Sequence, residues 1–275
     1  NLKNNFLKAL FNIQIGNKLV IVFLVIIFIR LVLTTSQDLI AITYAGHDDR
    51  LFLILAENII NGHWLGEYNN LTLIKGAFYP LFIAASYFAG IPLLLSQQLL
   101  YVFASVIFVI SVRPLVKSPI FLTLLFCFVI FNPISYASPI SNRVIREGIY
   151  ISLTLLVISS TVGLYLRRST PLKNLFHWSA LLGISLSALW FTREEGIWIT
   201  PLLLLVFVPL ITTLLQIRRH TLNKTILNIL LLTFPFFFLL LNSSILSFIN
   251  LHYYKTFTTI ELKNHPFVQA YGALS

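Results

Sequence analysis

Two carboxylates, Asp48 and Asp49, stand side by side in GHDDRLF (46–52), directly after a long apolar run. The chain holds only nine acidic residues in 275, so an adjacent pair is a concentrated share of its acid. An ionised carboxylate beside a bilayer is costly unless it faces water, a cation or a substrate. The pair reads as the first turn of a helix, whose dipole favours acids, or as part of a chemical centre, and the two roles are compatible. Glu147, Glu194, Glu195, Lys75, Arg143, Arg146 and Arg193 likewise stand at the edges of apolar stretches. Carboxylates there can accept protons, and Arg or Lys can hold an anion by charge-assisted hydrogen bonds.

The elements that must position these groups follow from composition. Hydrophobic residues make up 57% of the chain and charged ones 10%, with a mean hydropathy of +0.87. A soluble domain is nearer a quarter charged. An all-α polytopic membrane protein is expected, with one transmembrane domain over 1–275 and membrane lipids as its surroundings. The net charge of +10 is no nucleic-acid footprint, because the basic residues lie in short loops between apolar runs. Cys127 is the lone cysteine, which excludes an intrachain disulfide or a multi-cysteine metal site.

Runs of about 20 mostly apolar residues, the length of a span, occur at 19–37, 91–112, 118–142, 148–166, 174–192, 196–217 and 225–250. Seven spans are expected. Arg30, the one charge inside them, is near enough to an end to snorkel. The segment 76–90 is short and bounded by Gly, as an interfacial or re-entrant helix would be. The apolar spacing in LFLILAENIINGHW (51–64) predicts a helix along the membrane surface in the first outer loop, about 38–90.

Charge orients these spans. With a cytoplasmic N-terminus, the inner segments hold eleven bases and no acid, and all nine acids fall on the other face. The positive-inside rule favours that arrangement in an inner or plasma membrane, with the charged loops extracytoplasmic. A full crossing by 76–90 would invert every later loop. The chain opens without Met and stops at AYGALS, so a longer protein with a C-terminal remainder is expected; no cleavable signal peptide is evident.

The stretch 47–80 carries a further pattern: Asp48–Asp49, then Gly62-His63-Trp64, then Lys75-Gly76 with Tyr79-Pro80. It resembles the first extracytoplasmic loop of GT-C integral-membrane glycosyltransferases, in the bacterial branch of protein O-mannosyltransferases and aminoarabinose transferases. NRVIREGIY (142–150) and WFTREEGIWI (190–199) resemble later outer loops of the same group. Related enzymes are longer and often carry a soluble C-terminal part.

The resemblance implies transfer of a sugar from a polyprenyl-phosphate donor to a glycan, lipid or protein hydroxyl, with inversion. Asp48 or Asp49 would be the general base, with Asp48 preferred. Lys75, Arg143, Arg146 and Arg193 would hold the donor phosphate, and Glu147, Glu194 and Glu195 would form a supporting acidic wall. His47, Asp48, Asp49 and Glu147 could hold a divalent cation, but no fixed ligand spacing commits them to a metal. Trp64, Trp190, Trp198, Tyr68 and Tyr79 read as an interfacial aromatic belt. The competing class is a transporter or flippase for a lipid-linked or anionic substrate, whose marks would be inverted repeats and charges near the midplane.

Overall fold

In hydrocarbon every backbone polar group must be satisfied within the protein, and a helix does this within one segment. The computed structural model describes residues 16–42, 48–136, 142–168, 172–193, 196–216 and 222–261, and these are helical with no strand. The helices are α1 (Asn17–Thr34), α2 (Asp48–Ile60), α3 (Phe78–Phe88), α4 (Leu93–Val112), α5 (Pro119–Ile130), α6 (Pro133–Tyr136), α7 (Glu147–Leu166), α8 (Leu172–Thr192), α9 (Thr200–Gln216) and α10 (Leu222–Tyr254). A 3-10 turn, Gly196–Ile199, leads into α9.

Five helices among the described residues are long and apolar enough to cross a membrane: α1, α4, α7, α8 and α10. Two expected spans are shorter than the sequence implied. The run 118–142 is interrupted, because α5 stops after 12 residues and Asn132-Pro133 opens a separate turn of helix. Pro133 has no N–H to extend α5 and suits the first position of a new turn, which Asn132 caps by accepting from the Ile134 N–H at 3.0 Å. At 1.5 Å per residue α5 is about 18 Å long, short of a bilayer core. The run 196–217 divides into the 3-10 turn and the 17-residue α9. The segment 76–90 forms the 11-residue α3, as short as expected.

Helix direction follows from contacts at both ends. Gly148 of α7 packs on Gln97 of α4, and Arg167 after α7 reaches the last carbonyls of α4, Ile110 at 2.6 Å and Ser111 at 3.1 Å. The two helices therefore run parallel. Arg167 satisfies carbonyls that a helix end leaves orphaned, and its guanidinium lies 4.6 Å from the Trp178 ring. α8 returns antiparallel to α7, with Trp178 pressed on Gly163 at one end and Arg193 beside Glu147 at the other. Ser179 meets Leu231, and Gly183 meets Pro235 and Phe238, so α8 and α10 run parallel. Pro235 frees the Leu231 carbonyl four residues earlier, and the Ser179 hydroxyl donates to that oxygen.

The main core lies among α2, α3, α4, α7, α8 and α9, with Trp178, Phe52 and Tyr79 fully buried. A second cluster joins α1 to α4 and α5, where Phe23 stacks on Phe126 at 4.4 Å. Arg30 does not snorkel. It is fully buried, donating to Gln98 Oε1 and to the Ser135 carbonyl at 2.9 Å. Gln98 Nε2 donates to the same carbonyl at 3.0 Å, so a buried polar knot ties α1, α4 and α6. A charge is kept inside an apolar bundle when partners are fixed around it.

Candidate functional site

The first charged loop is built to present the acidic pair. α2 begins at Asp48, so both acids lie in its first turn, and it buries Asp49, Phe52, Leu55 and Ala56 on one face. Gly62, with φ +80°, ends it: Gly62 N–H donates to Ile59 O at 3.1 Å and His63 N–H to Asn58 O at 2.9 Å. This is a Schellman closure, which needs a left-handed residue that glycine supplies. The chain then clasps the end of α10. Trp64 Nε1 donates to Asn250 Oδ1 at 2.9 Å, Tyr254 OH to Gly66 O at 3.0 Å, and Glu261 N–H to Leu73 O at 3.0 Å.

Three ion pairs assemble at this end of the bundle. Arg143 grips Asp49, with Nη2 to Oδ1 at 2.5 Å and Nε to Oδ2 at 3.3 Å. Arg143 is placed by a short parallel bridge to Ile40, where Ile40 N–H donates to Asn142 O and Val144 N–H to Ile40 O. The Ile42 N–H then donates to Asp49 Oδ2 at 3.3 Å. Lys75 Nζ lies 3.4 Å from Asp48 Oδ2, and Arg193 Nη1 lies 3.5 Å from Glu147 Oε1. Gly76 packs against the Phe191 backbone and so brings the Lys75 turn beside the end of α8.

The two aspartates differ sharply. The Asp49 side chain is fully buried, whereas that of Asp48 is 42% exposed. Burial alone would raise the Asp49 pKa, but the Arg143 hydrogen bond and charge, with the Ile42 N–H, outweigh it and hold the carboxyl below its ordinary range. Asp49 in turn raises the pKa of Arg143, with Glu147 and Asp48 adding smaller contributions. The six charged groups therefore form one electrostatic cluster.

Arg193 also stacks over Tyr150 at 5.1 Å, and Trp198 Nε1 donates to the Tyr150 hydroxyl. Beneath the cluster, Tyr79 is buried edge-on to Phe52 at 5.0 Å, with its hydroxyl accepting from Gln97 Nε2 at 3.0 Å. Burial, with Asp49 and Glu147 nearby, pushes the Tyr79 hydroxyl up. Tyr79 is thus part of the core and no member of an interfacial belt. Tyr79, Gln97 and Tyr150 were missed as site residues. The adjacent amides Gln97-Gln98 inside an apolar run were the available signal, since polar groups in a span need partners.

Arg146 is buried just before α7. Glu194, Glu195 and His47 lie outside the described residues. No group of three or more His, Cys, Asp or Glu able to hold a metal is present among the described residues. Two cavities, of about 620 and 300 Å³, lie away from the charged cluster: the larger by Lys117 and Phe121, the smaller between α3, α8 and α10.

Comparison with protein-family models, curated proteins and solved structures finds no match for this chain.

Proposed function

We propose that this chain is an integral-membrane glycosyltransferase of GT-C type, moving a sugar from a polyprenyl-phosphate donor to an acceptor hydroxyl at the extracytoplasmic face. One observation carries the reading: Asp48, Asp49, Lys75, Arg143, Glu147 and Arg193, drawn from three separate charged loops, meet in linked ion pairs. The charge bias of the loops supports an extracytoplasmic position for that end, in a seven-span arrangement with α5 and α9 as short crossings.

The chemistry divides between the two aspartates. Asp48, exposed and loosely paired, is the base that takes the acceptor proton as the hydroxyl oxygen bonds to the anomeric carbon. The bond from that carbon to the phosphate oxygen breaks on the opposite face, and the phosphate departs with the electron pair. Lys75 exchanges Asp48 for the donor phosphate, which both neutralises the leaving group and frees the base. Arg193 and Arg146 are further cations for the phosphate. Asp49 holds Arg143 and fixes the start of α2, and Glu147 serves the acceptor.

The deciding experiment supplies membranes holding the full-length protein with polyprenyl-phosphate sugars labelled in the sugar. Label passing to an acceptor, with loss of transfer in Asp48→Asn, supports the enzyme. Label that crosses the bilayer with its phosphate bond intact would instead mark a flippase. Deleting the gene should leave one polyprenyl-linked sugar in excess and so name the donor.

A further inference from the structure

Trp198 is the exposed one of the four tryptophans, at 49%, and it borders the charged cluster. It stands in the 3-10 turn Gly196–Ile199, whose buried Gly196 and Ile199 anchor it. Its Nε1 donates to the Tyr150 hydroxyl, and the Tyr150 ring carries the Arg193 guanidinium at 5.1 Å. Arg193 in turn pairs with Glu147 at 3.5 Å. Indole, phenol, guanidinium and carboxylate thus follow one another in contact.

The direction of the N–H separates Trp198 from a membrane-belt residue. A belt tryptophan sinks its ring toward the bilayer and leaves its N–H to headgroups and water. Here the N–H is engaged within the protein, so what remains at the surface is ring. The ring is otherwise covered in Trp178, which is fully buried, and in Trp64, which gives its N–H to Asn250 and lies along Tyr253. An indole has two side-chain torsions to fix, so the Tyr150 bond holds Trp198 as a rigid plate.

The chemistry beside the plate names its occupant. An aromatic face is electron-rich. The C–H groups of a sugar ring are made slightly positive by their oxygens and gather into an apolar face with a hydroxyl rim. Such a ring fits an aromatic plate with charged hydrogen-bonding groups at its edge, here Arg193 and Glu147. Both are within reach of solvent, their side chains being 30% and 29% exposed. A hydrocarbon chain has no use for that charged edge. The donor's sugar is bonded directly to its phosphate, so a phosphate held by Arg193 leaves the sugar beside Tyr150 and Trp198. We infer that Trp198 is the platform on which the donor's sugar ring stacks. This rests on the glycosyltransferase reading and makes Trp198 the residue that senses the sugar.

The purified full-length protein is titrated with undecaprenyl phosphate, bare or carrying glucose, mannose or arabinose, and binding is read by native mass spectrometry. The wild type should bind at least one sugar-bearing lipid about tenfold more tightly than the bare lipid, about 1.4 kcal/mol. Trp198→Leu, apolar but without a ring face, should erase that preference, and Trp198→Phe should keep most of it. Tyr150→Phe, which releases the indole but keeps a ring under Arg193, should weaken it. All three variants should bind the bare lipid as the wild type does, and unchanged melting confirms that they are folded. Equal binding of bare and sugar-bearing lipids by the wild type overturns the platform and leaves the phosphate site standing, as does an unchanged preference in Trp198→Leu. An equal loss of affinity for bare and sugar-bearing lipids in Trp198→Leu would make the indole a contact of the lipid chain and also overturn it. A wild type that binds none of these lipids would overturn the glycosyltransferase reading itself, and the platform with it.

Discussion

Gly76 lies against Phe191 so closely that a β-carbon at position 76 would stand 2.7 Å from the Phe191 carbonyl carbon and closer still to its oxygen. The obstacle is backbone, which cannot swing aside as a flexible side chain would. The contact fixes Lys75, one residue before it, relative to Arg193, two residues beyond Phe191. Gly76→Ala should therefore lower the thermal midpoint in detergent, at an overpacking cost of about 1–3 kcal/mol. Gly196→Ala is the matched control, since its β-carbon would meet nothing nearer than 3.7 Å. Equal midpoints for the two variants would show that the Phe191 backbone yields freely.

The Ser179–Pro235 relationship lends itself to a double-mutant cycle. Ser179 donates to the Leu231 carbonyl that Pro235 leaves without its helical partner. Ser179→Ala alone orphans that carbonyl and should destabilise by about 1–3 kcal/mol. With Pro235→Ala the helical N–H is restored, and the same serine change should cost less. Additive effects in the cycle would mean that the hydroxyl does not serve the freed carbonyl.

Much of the helical plan was legible in the sequence, because apolar run length and the Gly62 stop are local signals. Five runs became long helices where the hydropathy placed them. The α5 region was not legible in the same way: composition counts Asn132-Pro133 as a small interruption, whereas backbone hydrogen bonding treats it as an end. Arg30 was misread for a related reason. Position along a helix gives distance from the membrane edge but not which face meets Gln98 and Ser135. The charged candidates were found because they are rare. Their pairing depended on tertiary contacts, such as the Ile40–Arg143 bridge, that no spacing encodes.

Acid should weaken the fold through Asp49. Its carboxyl is held below the ordinary range in the folded chain, so the unfolded state binds a proton first as pH falls. The stabilisation is whole above the unfolded carboxylate value, about 4, and is lost as pH drops through the lower folded value. Melting temperature should therefore hold from neutral pH down to that point and then decline. Asp49→Asn, which has no such proton to gain, should show a shallower acid decline. Superimposable pH curves for wild type and variant would show that the Arg143 pair contributes no pH-linked stability.

Asp48 and Asp49 should separate turnover from stability. They are consecutive in the first turn of α2, about 100° apart around the axis, so they cannot face the same space. Asp49→Asn removes the charge that Arg143 grips inside the protein and should cost about 1.5–3 kcal/mol of stability. Asp48→Asn leaves the buried pair intact and should barely move the melting temperature. It cannot accept a proton, however, and should lower sugar transfer by roughly 10²–10⁴-fold. Both variants of the full-length protein are assayed with a lipid-linked donor and its acceptor, beside melting curves from the same preparations. Near-normal transfer by Asp48→Asn would remove it as the base, and near-normal transfer by both would reduce the pair to the start of a helix.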